Sequence, residues 1–253
     1  MNSTILLTNE ISSIDNYFPK EHFNKNGNKI TLLIPALNEA NNLKVFLPHI
    51  PTYIDEVILI DGGSEDGTAE IARQLLPNIR VVQQNGKGKG DALKTGIDAA
   101  LGDIICIIDA DCSMNLSELP LFIKQLLDGY DFAKGSRFTT GVGTKDMTML
   151  RLFGNTIFTM LANILFGSHY TDITYGYNAF WKKAVSDMQF MTDGFEMEIE
   201  LYLKAHQSRL KIAEIPCYEN KRCYGKGKLH TFRDGWKILK VIIKERINGP
   251  LEH

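Results

Sequence analysis

The chain has 253 residues, with 28 Lys and Arg against 30 Asp and Glu, so its formal net charge at pH 7 is −2. This balance argues against a nucleic-acid-binding protein held by an overall positive field. With 44% hydrophobic and 23% charged residues, the composition is ordinary for a globular protein and excludes a disordered or collagen-like chain. The length allows one large α/β domain or two small ones.

The cysteines and the hydropathy pattern bear on the compartment. The four cysteines form no CxxC pair and have no His pair near them, which argues against a zinc site and favours a reducing compartment. No basic segment precedes an apolar run at the N-terminus, so we expect no secretory signal. The most apolar stretch, residues 150–166, is interrupted by Arg151, Gly154, Asn155 and Asn163, so we expect no membrane-spanning helix. We predict a cytoplasmic protein.

Short apolar runs alternate with helical patterns along most of the chain. After an N-terminal extension over residues 1–28, the predicted strands cover residues 30–34, 57–60, 79–82, 104–108, 131–134 and 177–181. The predicted helices cover residues 41–49, 67–76 with Asp66 as N-cap, 91–101, 148–166, 195–206 and 233–247.

The order of these elements predicts the fold class. Each early apolar run is followed by turn residues and a helix, which is typical of parallel strands buried on both faces. We therefore predict an α/β fold with a doubly wound, mostly parallel sheet and helices on both faces. A single domain over residues 29–247 would bind one ligand through residues 29–114 and a second ligand, with which the first reacts, through residues 115–247. A tail with a tag remnant would follow over residues 248–253.

The loop after the fourth predicted strand carries two carboxylates at alternate positions. Asp109 and Asp111 are expected to project together, because residues i and i+2 of an extended segment point the same way. Adjacent carboxylates repel unless a cation lies between them, and Mg²⁺ or Mn²⁺ shared with phosphate oxygens is the natural occupant. A polar turn that caps a helix near Ser117 would explain the same residues.

The loops after the other three early strands carry glycines and polar side chains that suit a nucleotide. They read Pro35-Ala36-Leu37-Asn38-Glu39, Asp61-Gly62-Gly63-Ser64-Glu65-Asp66 and Gly86-Lys87-Gly88-Lys89-Gly90. None has the spacing of a P-loop or of a dinucleotide-binding Rossmann fingerprint. Because ligands bind beyond the carboxyl ends of strands in open α/β sheets, the four loops together indicate a nucleotide site at that edge.

These four loops in this order resemble family 2 glycosyltransferases of the GT-A fold, over residues 30 to 247. Later motifs resemble the branch of the dolichol-phosphate mannose synthases. They are Gly135-Ser136-Arg137-Phe138, Arg151 with Asn155, Asp172 to Gly176, Gly194-Phe195-Glu196, and Arg222-x-x-Gly225-x-x-Lys228-Leu229.

The resemblance implies an inverting, metal-dependent transfer of a sugar from a UDP- or GDP-linked donor. It implies Asp109 and Asp111 as ligands of Mg²⁺ or Mn²⁺. Arg222 and Lys228 would stabilise the leaving diphosphate from a mobile loop, and Glu196, with Glu198 as an alternative, would act as base for a hydroxyl acceptor. The residues implied around the nucleotide sugar are Pro35, Ala36, Asn38, Glu39, Asp61, Gly62, Lys89, Gly90, Asp109 and Ala110.

The same resemblance implies a phosphate acceptor, which in this branch is a polyprenyl phosphate. Arg137, Arg151, Asn155 and Asp172 match its acceptor-binding positions, and guanidinium groups suit phosphate. The alternative is that the arginines form salt bridges with Asp131, Asp146 or Asp172. Two other functions stay open: a sugar nucleotidyltransferase, and a non-catalytic nucleotide-sugar-binding protein.

The last predicted helix carries a row of lysines that could contact a membrane or a second subunit. Lys237, Lys240 and Lys244 fall on one narrow stripe of residues 233–247, at about 100° per residue. The stripe is either the solvated side of a helix packed on the core or a surface that contacts anionic lipid or a second subunit, with Trp236 at the boundary. Peripheral contact with the cytoplasmic membrane surface and a homodimer are therefore both expectations to test, and no nucleic-acid partner is expected.

Overall fold

One mixed sheet organises residues 27–139, 141–227 and 230–249, which are the residues described by the computed structural model. Its strands are β1 Ile30–Ala36, β2 Glu56–Asp61, β3 Arg80–Gln83, β4 Ile104–Ile107, β5 Phe132–Ser136, β6 Asn178–Trp181 and β7 Ile212–Pro216. The helices are α1 Ala40–Phe46, α2 Thr68–Leu75, α3 Lys89–Ala99, α4 Leu119–Leu127, α5 Met149–Phe166, α6 Lys182–Val185, α7 Met197–Gln207 and α8 Thr231–Asn248. Short 3₁₀ turns cover Leu47–His49 and Leu116–Glu118.

The strand order is β3-β2-β1-β4-β6-β5-β7. The pairs β1–β2, β2–β3, β1–β4 and β5–β7 are parallel, whereas β6 runs antiparallel to both of its neighbours, β4 and β5. The prediction of a mostly parallel α/β sheet is therefore confirmed. The strand β7 was not predicted, because its five residues, one of them Pro216, give too short a pattern on the edge of the sheet.

Helices cover both faces of the sheet, because successive strand residues point to opposite sides. On β1, Leu32 belongs to the core cluster that includes Leu43 of α1 and Phe122 of α4. Its neighbour Leu33 belongs to the cluster on the other face, with Leu93 of α3. The strands β1, β2 and β4 are thus buried on both sides, as their apolar runs predict, whereas β3 at the edge of the sheet is partly exposed.

A third apolar cluster joins the three long helices of the second half. It contains Ala162 and Phe166 of α5, Tyr202 of α7, and Ile238 and Ile242 of α8. The helix α5 runs through Arg151, Gly154 and Asn155 without a break, in agreement with the helix predicted over residues 148–166. By length and composition it is the one helix, among the residues that the structure describes, that is apolar enough to cross a membrane.

The start of α2 differs from its prediction. The N-cap is Gly67, whose φ of +81° is a left-handed conformation that favours glycine. The Asp66 carboxylate instead accepts hydrogen bonds from the backbone N–H groups of Ala40 (3.0 Å) and Thr68 (3.1 Å). Asp66 therefore fixes the start of α1 against the start of α2, and so shapes the loop after β1.

Candidate active site

A cavity of about 920 Å³ lies beyond the carboxyl ends of β1 and β4, with α5 and α8 along one side. Its position is the one expected for a ligand in an open α/β sheet. Most of the predicted site residues line it: Pro35, Ala36, Glu39, Gly62, Lys89, Asp109, Ala110, Asp111, Arg137, Arg151, Asn155 and Arg222.

Three predicted nucleotide-binding residues are not among those that line the cavity. Asn38 donates its backbone N–H to Ser64 Oγ (2.9 Å), and the buried Asp61 carboxylate accepts from the Ser64 backbone N–H (3.1 Å). Gly90 donates its backbone N–H to the Asp193 carbonyl (2.7 Å). These residues hold the loops in place, so their effect on a nucleotide would be indirect. Lys228 lies outside the described residues.

Lys89 bridges two carboxylates in the cavity. Its Nζ lies 2.5 Å from Asp109 Oδ1 and 2.5 Å from Glu198 Oε1. Burial acts to lower the Lys89 pKa, but the two carboxylates outweigh it and raise that pKa above its ordinary value. Burial raises the pKa of Asp109 to about 6 despite Lys89, and the carboxylates of Glu198 and Asp111 add to the rise. Lys89 therefore offsets the negative charge of Asp109 and Glu198 inside the cavity.

Asp111 forms a salt bridge with a second basic residue, Arg222. Its Oδ2 lies 2.6 Å from Nη2 of Arg222, and its Oδ1 accepts from the Ser113 backbone N–H (3.0 Å). The Arg222 Nε is buried and has no hydrogen-bond partner among the described residues, and the residue as a whole lines the cavity. The loop after β7 is tied down here, because the Cys223 N–H donates to the Asp111 carbonyl at 3.1 Å.

The acceptor-binding residues predicted from sequence form one buried network. Arg137 donates from Nε (2.7 Å) and Nη2 (3.1 Å) to Asp172, from Nη2 to Thr174 (2.9 Å), and from Nη1 to both carboxylate oxygens of Glu219 (3.2 Å each). Asn155 donates to Asp172 as well, at 3.2 Å. Although burial acts to raise it, the pKa of Asp172 is held below its ordinary value by the Arg137 guanidinium.

This network confirms the alternative that Arg137 forms a salt bridge with Asp172. All five N–H groups of its guanidinium are engaged, so an acceptor phosphate would have to displace Glu219 to reach it. Asp172 is fully buried and does not line the cavity; it positions Arg137 and Asn155. Arg151, half-buried in the cavity wall beside Gly227, is the better placed arginine for a phosphate.

The prediction for the catalytic base is corrected by the start of α7. Because the helix begins at Met197, Glu196 and Glu198 do not share a side, and of the two only Glu198 lines the cavity. Glu196 lies behind it, with its Oε1 3.8 Å from Lys237 Nζ. Glu200 is also engaged elsewhere, since it accepts from the backbone N–H groups of Met191 (2.7 Å) and Thr192 (2.9 Å).

Sequence reasoning missed two features of the site. Glu219 was not singled out, because it follows β7, which was not predicted, and nothing around it marks a partner for Arg137 at the end of the adjacent strand β5. The apolar end of the cavity was missed as well. It is built from α5 and α8, and its walls are Leu150, Phe153, Ile157, Phe158, Phe232, Trp236, Ile238 and Leu239.

Comparisons with known proteins agree with this geometry. The profile described as glycosyl transferase family 2 matches residues 31–188. The protein named glycosyltransferase AglJ of Haloferax volcanii is 31% identical over 229 residues, covering 88% of this chain and 74% of that protein. The dolichyl-phosphate hexose transferase of the same organism is 31% identical over 218 residues, covering 85% of this chain and 92% of that protein.

A solved structure supports the fold. The glucosyl-3-phosphoglycerate synthase of Mycobacterium tuberculosis, in complex with Mn²⁺, UDP-glucose and phosphoglyceric acid, superposes with a TM-score of 0.72 at 23% identity. The match covers 92% of this chain and 84% of that one. The family match and the curated relatives show that the chain belongs to glycosyltransferase family 2, with the GT-A fold, and is a glycosyltransferase.

Proposed function

We propose that the enzyme transfers a hexose, with inversion, from a UDP- or GDP-linked sugar to a polyprenyl phosphate. The observation that carries this proposal is the cavity itself, which joins a charged end at Asp109 and Asp111 to an apolar end between α5 and α8. Such a cavity suits an acceptor with an ionic head and a hydrocarbon chain. The relative named dolichyl-phosphate hexose transferase supports the same class of acceptor.

The donor half of the proposal rests on the loops after β1 to β4. Residues 29–114 would bind the nucleotide sugar, with the loops of Pro35–Glu39 and Gly62 beside the cavity. The structural relative that holds UDP-glucose supports a nucleotide-linked donor. Residues 115–247 would bind the acceptor. Because the family match identifies a glycosyltransferase, a sugar nucleotidyltransferase is the weaker alternative.

A divalent cation, Mg²⁺ or Mn²⁺, fits the residues that are present. Among the described residues no cluster of three or more His, Cys, Asp or Glu side chains could hold a metal alone. Two neighbouring carboxylates, Asp109 and Asp111, leave the other ligand positions to diphosphate oxygens, which is how Mg²⁺ is usually bound. The ion would stabilise the negative charge that grows on the leaving diphosphate. The Arg222 guanidinium, which lines the cavity, would add to that stabilisation.

The acceptor chemistry follows from the ion pairs. A phosphate acceptor is already ionised at neutral pH and needs no base. Glu198, the α7 carboxylate in the cavity wall, is engaged by Lys89 and so is poorly suited to take a proton. Arg151 would hold the acceptor phosphate as a planar fork. The chain of the acceptor would lie between α5 and α8, which would place the enzyme at the cytoplasmic face of a membrane.

The test compares acceptors in detergent with a panel of UDP- and GDP-sugars. We expect nucleoside diphosphate release with polyprenyl phosphate and Mn²⁺, and none with the matching polyprenol, which lacks the phosphate. Transfer to 3-phosphoglycerate instead would favour a small phosphorylated acceptor, which the charged end alone could hold. Donor binding without release in any arm would favour a non-catalytic binding protein.

A pair of variants tests the acceptor site. Arg151→Gln should raise the KM for polyprenyl phosphate and leave the donor KM unchanged. Lys145→Gln removes the same charge from an exposed residue outside the cavity lining and should change neither constant. Equal effects of the two variants would contradict the role of Arg151.

A further inference from the structure

We propose that the exposed sides of α5 and α8 form one surface that binds an anionic lipid bilayer and opens the cavity to it. This surface, the bilayer face, consists of Met149, Leu150, Phe153, Ile157, Met160 and Ile164 of α5 with Phe232, Arg233, Trp236, Lys237, Lys240, Ile243, Lys244 and Ile247 of α8. The proposal rests on the proposed function only in the use it gives this surface, which is access for a lipid phosphate acceptor. Its evidence is the side chains of the two helices.

The exposed side of α5 is apolar along its whole length. At about 100° per residue, its exposed positions fall within one-third of the helix circumference, and Thr156 is the one polar residue among the side chains there. Phe153 is 66% exposed and Ile164 is 71% exposed. A water-facing helix normally carries charged residues on that side, so this side is suited to an apolar environment.

The exposed side of α8 divides into two stripes. Counted at about 100° per residue from Phe232, the apolar side chains Phe232, Ile243, Trp236 and Ile247 occupy roughly the first 60°. The basic side chains Lys240, Arg233, Lys244 and Lys237 occupy roughly the next 60°. Both acidic residues of the helix, Asp234 and Glu245, are buried. An apolar stripe beside a basic one, with no exposed carboxylate, is the pattern of a helix that lies in the interface of an anionic membrane.

The alternative for α5 is that it crosses the membrane, and its buried side argues against that. Asn155 bonds to Asp172 and to Thr174 (2.8 Å), inside the network that holds Arg137. Ala162 and Phe166 pack in the cluster that α5 shares with α8. Because withdrawing α5 would leave buried polar groups without partners, the helix is expected to lie in the plane of the membrane surface.

The bilayer face surrounds the apolar end of the cavity. Leu150, Phe153 and Ile157 on one side, and Phe232 and Trp236 on the other, are exposed and also line the cavity. A lipid acceptor could therefore pass sideways from the bilayer to the site without its chain crossing water. The basic stripe would bind anionic headgroups beside that opening, and Lys240 Nζ of that stripe lies 5.6 Å from the centre of the Trp236 ring in the apolar one.

The test is flotation with lipid vesicles at low salt, either neutral phosphatidylcholine or phosphatidylcholine with anionic phosphatidylglycerol. We expect the full chain to float with the anionic vesicles. Met160→Glu/Ile164→Glu should abolish flotation, and Lys240→Gln/Lys244→Gln should weaken it roughly 25-fold, since each basic side chain contributes about fivefold. The matched control is Leu101→Glu, which changes a 74% exposed leucine just before β4, at the end of the strands opposite the cavity, and should float normally.

Two readouts separate this proposal from the proposed function. Met160 and Ile164 do not line the main cavity, so their double variant should keep transfer to polyprenyl phosphate in detergent. A wild-type chain that transfers in detergent but stays unbound at low salt would overturn the bilayer face and leave the proposed function standing. A wild-type chain that floats with the anionic vesicles but transfers no sugar in detergent would support the bilayer face and overturn the proposed function. If light scattering showed a dimer that Met160→Glu/Ile164→Glu splits, with no flotation, the face would be an interface between copies and the proposal would fail.

Discussion

Replacing Arg222 with Gln should strengthen metal binding by the free protein and yet slow sugar transfer. The Arg222 guanidinium lies 2.6 Å from Asp111 Oδ2, so a divalent cation must compete with it for that carboxylate. The pair is partly exposed, which limits its value to about 1 kcal/mol. Losing it should therefore tighten Mn²⁺ binding by roughly fivefold in the absence of nucleotide.

Turnover should change in the opposite direction. Without the guanidinium, the charge on the departing diphosphate loses a donor, and the loss of one such donor typically costs about 10² to 10³ in kcat. Titration of the free Mn²⁺ signal by electron paramagnetic resonance measures the first effect, and donor consumption at saturating Mn²⁺ measures the second. Lys221→Gln removes the same charge one residue away, from an exposed side chain, and should change neither the Mn²⁺ affinity nor the turnover. An Arg222→Gln protein that binds Mn²⁺ no better than wild type would refute the competition.

Three further outcomes are expected. Asp111→Asn should nearly abolish transfer, as should EDTA on the wild type, and a near-normal rate in either case would remove the metal from the mechanism. Asp172→Ala should lower the free energy of unfolding by about 3–5 kcal/mol, because the buried Arg137 loses one of its two carboxylate partners and the hydrogen bonds to it; a loss under 1 kcal/mol in urea denaturation would contradict this. Burial raises the pKa of Glu118 to about 7, so stability should fall as the pH rises through 7. Glu118→Gln should remove that fall, about 3 kcal/mol, and an unchanged pH profile of urea unfolding would count against it.

The first half of the fold could be predicted because its signals are local. The runs that became β1 to β4 each contain three or more apolar residues between turn residues, and their ends were placed within a residue or two. The position of Asp109 and Asp111 followed from the same pattern. Helices α5 and α8 were also found, since each extends over 18 residues with helical periodicity. Periodicity does not say which side of a helix packs on the core, so the exposed side of α8 needed the structure.

The ion pairs of the site could not be predicted, because they depend on contacts between distant segments. Lys89 meets Glu198 only when α7 packs beside α3, and no local pattern records that contact. The choice between Glu196 and Glu198 turned on a single helix boundary at Met197. For Arg137, the sequence allowed a phosphate or a salt bridge; the register of β5 against β7 placed Glu219 within reach and engaged all its donors.

The loop after β7 returns to the beginning of the domain, and this has a consequence for how the enzyme is made. The Tyr224 backbone N–H donates to Asn42 Oδ1 at 2.9 Å, across 182 residues of sequence. On the ribosome, β1 to β4 emerge early and can start to pair, whereas the contacts that bring Arg222 to Asp111 must wait for the last part of the chain. A nascent chain would thus hold much of its sheet before it has a closed site. Sugar transfer should begin only when synthesis is nearly complete.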